Sequence, residues 1–353
     1  MDFLKLNQSI APIDESSARE AGCRWDSIAK PVGSLGRLES AVSSIAALTG
    51  SARIDIDKRV VAVMCADNGV LAEGVASTPQ DITAVMAEFI LAGNSCVCKM
   101  AQYANADVFP IDIGMVRRVE GVEDRHVANG TKNIAVGSAM TREEGEAAIM
   151  TGIDLADRYK AAGYKIVITG EMGIGNTTTS SAIAAVLLGR SVKEVTGRGA
   201  GISDDMLMNK IRVIERAIEV NKPDPTDAFD VLCKLGGFDI AGMVGLYIGC
   251  AINRIPIIID GIISSVAALV AYRLCPNSVC AMLASHESVE PAACDILKEL
   301  GTEAFLNCEM RLGEGTGAVC MLPVLDMALA VYNNMSTYDD IGLEAFDPDK
   351  EEN

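Results

Sequence analysis

The sequence predicts an α/β fold with a parallel sheet covered by helices on both faces. Three observations carry that prediction. Short apolar runs recur along the chain, each stops at small or acidic residues, and a helical stretch follows. The runs are apolar almost throughout rather than alternating, as expected of strands buried on both sides.

The first 50 or so residues read as helical, with "RLESAVSSIAALTG" carrying apolar residues at helical spacing. The first run, "RVVAVMCADNG", ends at Asp67, Asn68 and Gly69. "ADVFPIDIG" ends at Asp112 and Gly114, and "YKIVITGE" at Gly170 and Glu171. "IPIIIDG" ends at Asp260 and Gly261, and "SVCAMLASHES" at Ser285, His286 and Glu287. The acidic end of the chain, "LEAFDPDKEEN", is expected to fray. In parallel sheets ligands bind beyond the carboxyl ends of the strands, which is where these polar residues cluster.

Composition narrows the function. The chain has 353 residues, half of them hydrophobic, and a formal net charge of −18. That charge argues against nucleic acid and anionic membranes as partners. It also requires any anionic ligand to be met by local dipoles and a few placed cations. The longest greasy stretch, "IPIIIDGIISSVAALVAY", is broken by Asp260, Gly261 and two serines, so it reads as a strand, a loop and a helix. A membrane span needs roughly 20 apolar residues without such breaks. Eleven cysteines show no disulfide rhythm, and the start of the chain lacks a signal-peptide layout. Both point to the cytoplasm. Two histidines and a lone CxC at Cys96 and Cys98 argue against a transition-metal site, and no DxD-type spacing asks for magnesium.

Two glycine-rich turns carry the chemistry. In "GEMGIGNTTTSSAIAAVLLG", Gly173 and Gly175 permit a concave turn of successive N–H groups. Asn176, Thr177, Thr178 and Thr179 add side-chain donors, and Ile183, Val186 and Leu187 mark a helix face. A helix N-terminus after such a turn is a seat for phosphate. It is neither a Walker loop nor GxGxxG; the plain alternative is a tight turn without a ligand. In "RLGEGTGAV", Glu314 stands between Gly313 and Gly315, which let a planar ligand approach a carboxylate with few local partners. A raised pKa and a general-base role follow, against the plain alternative of an exposed turn glutamate. Glu171, Glu287 and Glu290 are rival bases. Arg198 and Lys210 are candidate cations for the phosphate, with ordinary surface charge as the alternative. "GGFDIAGMVG" and "TGRGAGISDD" are further glycine-rich segments, His126 reads as incidental and His286 as a hydrogen-bonding prop.

Together the segments "KPVGSLGRLE", "ADNGVLAEGVASTPQDIT", "GEMGIGNTTT", "GRGAG", "GGFDIAGMVG", "DGIISSVAAL", "SHESVEP" and "LGEGTGA" resemble, in order over residues 30 to 318, the nicotinate-nucleotide–dimethylbenzimidazole phosphoribosyltransferase family. The resemblance implies transfer of ribose 5-phosphate from nicotinate mononucleotide to a benzimidazole nitrogen, with no cofactor and no metal. It implies Glu314 as base and a phosphate site at Gly173, Gly175, Asn176 and Thr177, with Ser288; with these the expected nucleotide and phosphate site takes in Glu171, Arg198, Lys210, Asp260, Gly313 and Gly315. Thr78 and Met86 would line the pocket of the incoming base.

The implied architecture is a Rossmann-like parallel-sheet domain over 56–304 and a small helical domain from both chain ends, 1–55 plus about 305–353. The implied assembly is a homodimer, or a heterodimer if the chain is a paralogue that activates phenols. A non-catalytic nucleotide-binding subunit is the other alternative. Two positions depart from the pattern: Asn68 stands where many relatives have His, and Met86 where many have Gln. Loss of the amide makes the base pocket greasier, which predicts an altered base preference.

Overall fold

The computed structural model describes residues 1–199 and 201–344; most of the acidic C-terminal segment expected to fray lies outside them. Six strands form one sheet: β1 Arg59–Ala66, β2 Ala106–Gly114, β3 Glu123–Asp124, β4 Ile166–Met172, β5 Ile257–Ile259 and β6 Met282–Ala284. All neighbours are parallel, in the order β3-β2-β1-β4-β5-β6. The five apolar runs of the sequence are five of these strands. The sixth, β3, is two acidic residues pairing with Ile111 and Asp112, and carries no apolar signal.

The order sets the location of the site. The chain winds outward from β1 to β3, then returns to β4 on the other side of β1 and winds to β6. The reversal falls between β1 and β4, where a doubly wound sheet leaves a crevice at its carboxyl edge.

β1 is buried along its whole length. Val60, Ala62, Met64 and Ala66 join one core with the helices Arg142–Ala161, Asn176–Leu188, Phe238–Ile252 and Ile262–Leu274. The alternate residues Val61, Val63 and Cys65 join the other, as the period-2 geometry of a strand requires. The segment "GGFDIAGMVG" belongs to the first layer. It enters the buried helix Phe238–Ile252, where a Cβ on Gly245 would lie 1.8 Å from the Ile149 carbonyl oxygen. Its later glycines therefore serve helix packing rather than a ligand.

The second layer contains the helices Glu15–Ser27, Arg37–Thr49 and Thr316–Asn334, whereas Met1, Phe3, Leu6 and Ile10 pack with the first. Trp25 packs on Tyr332 with ring centroids 5.0 Å apart. The Ala29 amide donates to the Ser336 carbonyl at 3.0 Å and the Tyr338 hydroxyl to the Lys30 carbonyl at 2.6 Å. Trp25, Ile45, Leu322 and Leu325 share one core with Val61 and Val63. The greasy stretch at 255–272 is β5, a turn and the start of the helix Ile262–Leu274. By length and composition Ile82–Tyr103 and Thr316–Asn334 could cross a membrane. The first is two helices, Ile82–Leu91 and Cys96–Tyr103, and the second carries Asp326, bound by the buried Arg59.

Candidate active site

A cleft of about 270 Å³ opens at the carboxyl edge of the sheet, lined from the ends of β4, β5 and β6, from the segments 75–78 and 310–314, and from Arg198, Gly199, Ile202 and Thr316. Its floor is the turn after β4. Gly175 has φ 99° and precedes the helix Asn176–Leu188 without a side-chain cap. The turn is pressed onto β1, since a Cβ on Gly173 would lie 2.5 Å from the Ala66 carbonyl oxygen. The Ile174 amide donates to the Thr83 hydroxyl at 3.2 Å. The amides of Gly175 and Thr177 find no acceptor among the described residues, so two N–H groups at a helix N-terminus remain open to an anion.

The side-chain donors expected here are mostly committed elsewhere. Asn176 is buried, and its amide donates to Glu171 Oε2 and, at 2.9 Å, to Asp239 Oδ2. Both hydrogens are used, so Asn176 cannot offer its side chain to a phosphate. Thr178 is fully buried, and the Thr179 hydroxyl donates to the Asn176 carbonyl at 3.0 Å. Helical geometry turns these positions inward, leaving Thr177 as the hydroxyl at the cleft.

The opposite wall is the turn Gly313–Glu314–Gly315, with φ of 88°, 61° and 92°. The carboxylate of Asp260, after β5, accepts from the amides of Gly315 at 3.2 Å and Ala318 at 2.9 Å. It thereby fixes the start of the helix Thr316–Asn334 and satisfies two of its orphan donors. Ser264 holds Asp260 in turn, its hydroxyl accepting from the Asp260 amide at 2.9 Å and lying 2.6 Å from the Thr169 hydroxyl of β4.

Glu314 is buried, not the exposed turn residue of the plain alternative. Its Oε2 accepts from the Val97 amide at 3.4 Å. Burial pushes its carboxyl above the usual range; the Val97 amide opposes this and the Asp260 charge adds to it. The flanking glycine at 313 has a packing reason too, because a Cβ there would meet Glu171 Oε1 at 2.5 Å. Glu171 itself is raised well above the carboxylate range, by burial first and then by the charge of Asp239.

Similarity to known proteins agrees with this arrangement. A family model described as Phosphoribosyltransferase matches residues 10–343. The nicotinate-nucleotide–dimethylbenzimidazole phosphoribosyltransferase of Acetivibrio thermocellus is 45% identical over 327 residues, covering 92% of this chain and 93% of that protein. The protein of the same name from Ruminiclostridium cellulolyticum is 42% identical over 350 residues, 99% of each. The crystal structure of CobT from Thermus thermophilus matches with a TM-score of 0.89 at 34% identity, covering 94% of this chain and 100% of that one. The chain belongs to the nicotinate-nucleotide–dimethylbenzimidazole phosphoribosyltransferase family.

Most of the expected residues of this phosphoribosyltransferase meet in one place. Thr78, Met86, Glu171, Gly173, Gly175, Asn176, Thr177, Arg198, Asp260, Ser288, Gly313 and Glu314 all line the cleft. Lys210 does not. It is buried on the helix Asp204–Asn221, where its ammonium donates to the Thr177 hydroxyl at 2.9 Å and the Gly197 carbonyl at 3.2 Å. Burial lowers its pKa to about 8, against the nearby Glu290 charge. Lys210 therefore orients Thr177 from behind rather than facing a ligand. Gly315 is likewise outside the lining and donates its amide to Asp260. Arg198 lies at the rim, but its guanidinium is held by the Ile202 carbonyl at 2.9 Å and by Asp204.

Of the rival bases, Glu290 is buried and accepts from the Gly199 amide at 2.9 Å. Glu287 is exposed and bound to Asn307. His286 is buried in the cleft wall, with Nδ1 3.0 Å from the Ser285 hydroxyl and its ring against Gly317. His126 is a member of a polar cluster, 3.3 Å from Asp112.

Sequence reasoning missed Arg311, exposed at the cleft mouth, and the buried Asp239. Arg311 stands three positions before Glu314, inside the motif already singled out, which was the available signal. Among the described residues no group of three His, Cys, Asp or Glu is placed to hold a metal.

Proposed function

We propose that this phosphoribosyltransferase moves the 5-phosphoribosyl group of nicotinate mononucleotide onto a ring nitrogen of a benzimidazole such as 5,6-dimethylbenzimidazole, giving α-ribazole 5′-phosphate and nicotinate in cobamide nucleotide-loop assembly. Its relatives' names specify that donor and acceptor. The observation that carries the residue roles is one cleft with a buried carboxylate on one wall and open helix-start amides on the floor.

In this reading the phosphate sits on the amides of Gly175 and Thr177, near Ser288, with Arg198 and Arg311 as cations at the mouth. The benzimidazole lone pair attacks C1′ opposite the pyridinium. The C1′–N bond of the donor breaks, its electron pair stays on the nicotinate nitrogen, and configuration inverts from β to α. The other ring N–H of the acceptor becomes acidic, and Glu314 takes its proton. The leaving group departs neutral at nitrogen, so one base suffices and no general acid is required. No redox group is called for, because C1′ exchanges one nitrogen for another. The acids around the cleft favour the positive charge that develops at C1′.

The helical layer of 1–55 and 305–344 is read as a small domain closing one side of the cleft. A cytoplasmic homodimer fits the exposed apolar Phe89, Leu91 and Tyr103. A second reading, phenolic bases as acceptors with a heteromeric assembly, rests on the thioether of Met86 in the cleft lining.

Incubation with nicotinate mononucleotide and dimethylbenzimidazole should release nicotinate. Glu314→Gln should lower kcat by roughly 10²–10⁴-fold, the usual worth of a general base. Undiminished turnover in that variant removes the assigned base. Absence of nicotinate release from the parent protein with any benzimidazole or phenol favours a non-catalytic subunit instead.

A further inference from the structure

His286 stands just beyond β6, and the proposed reaction gives it no role. It is buried, and it lines the cleft together with Gly261 and Ser288. Its ring is held on two sides. One edge lies against the start of the helix Thr316–Asn334, where a Cβ on Gly317 would meet Nδ1 at 2.0 Å and Cε1 at 2.1 Å. Glycine at 317 is therefore room for the imidazole. Nδ1 also lies 3.0 Å from the hydroxyl of Ser285. The backbone beneath is tied down as well: the Phe305 amide donates to the Ser285 carbonyl at 2.9 Å and the Glu287 amide to the Leu306 carbonyl at 2.8 Å.

A neighbouring hydroxyl decides which ring nitrogen is the acceptor. Ser285 has a single hydroxyl hydrogen and donates it to the Ile259 carbonyl at 2.6 Å. Toward His286 it can only accept. Nδ1 must therefore carry the N–H of the neutral imidazole, and Nε2 keeps a bare lone pair. Nε2 lies on the Gly261 side of the ring. A Cβ on Gly261 would stand 3.9 Å from Nε2, from Cε1 and from Ser288 Oγ alike, so the missing side chain at 261 leaves that approach open. The other histidine differs. Both nitrogens of His126 are engaged, by Asp112 and by Asn129, whereas among the described residues only Nδ1 of His286 is. A fixed acceptor at a cleft wall, paired with nothing in the protein, suits a donor on a ligand.

We propose that His286 binds the sugar of the donor, its Nε2 accepting a hydrogen bond from a ribose hydroxyl of nicotinate mononucleotide. The proposal rests on the cleft being the transferase site described above. The placement of the ring supports it. His286 lies between Ser288, near the phosphate in that reading, and Gly317, three positions past Glu314. The ribose must span those two groups, since it carries the phosphate on C5′ and the reacting carbon at C1′. An acceptor on the 2′-hydroxyl also enriches the oxygen beside C1′ as positive charge gathers there. A neutral ring does this without setting a second positive charge beside the pyridinium.

The chain has two histidines, so nuclear magnetic resonance of the full chain, isotopically labelled at the histidine nitrogens, reads the ring directly; His126→Gln assigns the signals that remain. At about pH 8, above the ordinary histidine range, Nδ1 should carry the proton and Nε2 should show the shift of a bare ring nitrogen. A proton on Nε2 overturns the proposal. Added nicotinate mononucleotide should move the Nε2 signal upfield, as a ring nitrogen moves on accepting a hydrogen bond. A nucleotide that shifts the Gly175 and Thr177 amides but not Nε2 overturns the proposal and spares the transferase reading; one that shifts neither overturns both. Equilibrium binding of the 2′-deoxy and 3′-deoxy donors is the second measurement. Loss of the hydroxyl concerned should weaken binding to the parent roughly fivefold. In His286→Asn, which keeps a donor for Ser285 and no acceptor at the Nε2 position, that hydroxyl should make no difference, and His286→Gln should restore part of it. Parent-like discrimination in His286→Asn, or a parent that binds both deoxy donors as well as the full one, overturns the proposal.

Discussion

Gly170 offers a direct measure of how much activity depends on where Glu314 sits. It lies within β4, paired with Val63 of β1, and the backbone of Glu314 packs directly on its α-carbon. In Gly170→Ala the new Cβ would meet the Glu314 carbonyl oxygen at 2.5 Å, its carbonyl carbon at 2.9 Å and Val63 Cγ2 at 3.1 Å. To restore ordinary contact at 3.4 Å, strand or turn must give by about 0.9 Å. The strand is locked between two parallel neighbours, and the turn is held by Asp260 through Gly315 and Ala318. The turn, with one flank free at the cleft, is the part that moves.

Overpacking of this kind costs about 1–3 kcal/mol of stability. Displacing a reacting group by about 1 Å costs on the order of 10²-fold in rate. Gly170→Ala should therefore fold, melt several degrees lower, and release nicotinate with kcat down about 10²-fold. Gly137→Ala has no neighbour within 4 Å of its Cβ and serves as the comparison, with parent-like kcat. A folded Gly170→Ala that turns over within threefold of the parent would refute the claim that the position of Glu314 limits the rate.

Other perturbations separate the remaining roles. Met86→Gln, assayed by mass spectrometry on a panel of benzimidazoles and phenols, should shift preference toward bases with a free hydrogen-bonding edge; an unchanged order discards the pocket assignment. Lys210→Met removes a buried charge and the donor behind Thr177. It should raise KM for nicotinate mononucleotide about fivefold, the worth of roughly 1 kcal/mol, with kcat kept; an unchanged KM denies Thr177 a part in binding. The raised carboxyls of Glu171 and Asp239 set a pH dependence of stability. The folded state keeps protons that the unfolded chain loses, so their contribution is fully present below about pH 4 and is lost as pH rises through about 8. Each such proton is worth about 1.4 kcal/mol per pH unit across that window. Urea unfolding of Glu171→Gln should show a flatter decline from pH 5 to 8 than the parent, and a parallel decline contradicts the raised Glu171 carboxyl.

The apolar runs made the sheet legible, because a strand buried on both faces has no polar alternation to hide it. Its carboxyl-edge residues pointed to the cleft for the same reason. What stayed hidden were partners. An asparagine in a glycine-rich turn reads as a donor for a ligand, and only folding shows both its hydrogens taken by Glu171 and Asp239. A lysine on an amphipathic helix reads as surface charge or phosphate ligand, and only folding shows Lys210 buried with its ammonium on Thr177 and the Gly197 carbonyl. Gly313 reads as room for a ligand. It is glycine equally because the Glu171 carboxyl occupies the space of its Cβ, from a strand far back in the chain that no local pattern connects to it.

These hidden partners resolve the conflict between a −18 chain and an anionic donor nucleotide. Charges beyond about 8 Å are largely screened at physiological ionic strength, so the local groups decide. In the proposed reading the phosphate end of the cleft has helix-start amides and two arginines, and the nearest acids there are engaged: Glu290 by the Gly199 amide, Asp204 by Arg198. The carboxyls still able to act, Glu171 and Glu314, lie across the turn at Gly313. In the proposed reaction that is where a pyridinium departs and positive charge gathers on C1′. The proposed site is thus divided, amides for the anion and acids for the cation. The division follows from where the helix Asn176–Leu188 begins and where the start of the helix Thr316–Asn334 is tied down by Asp260.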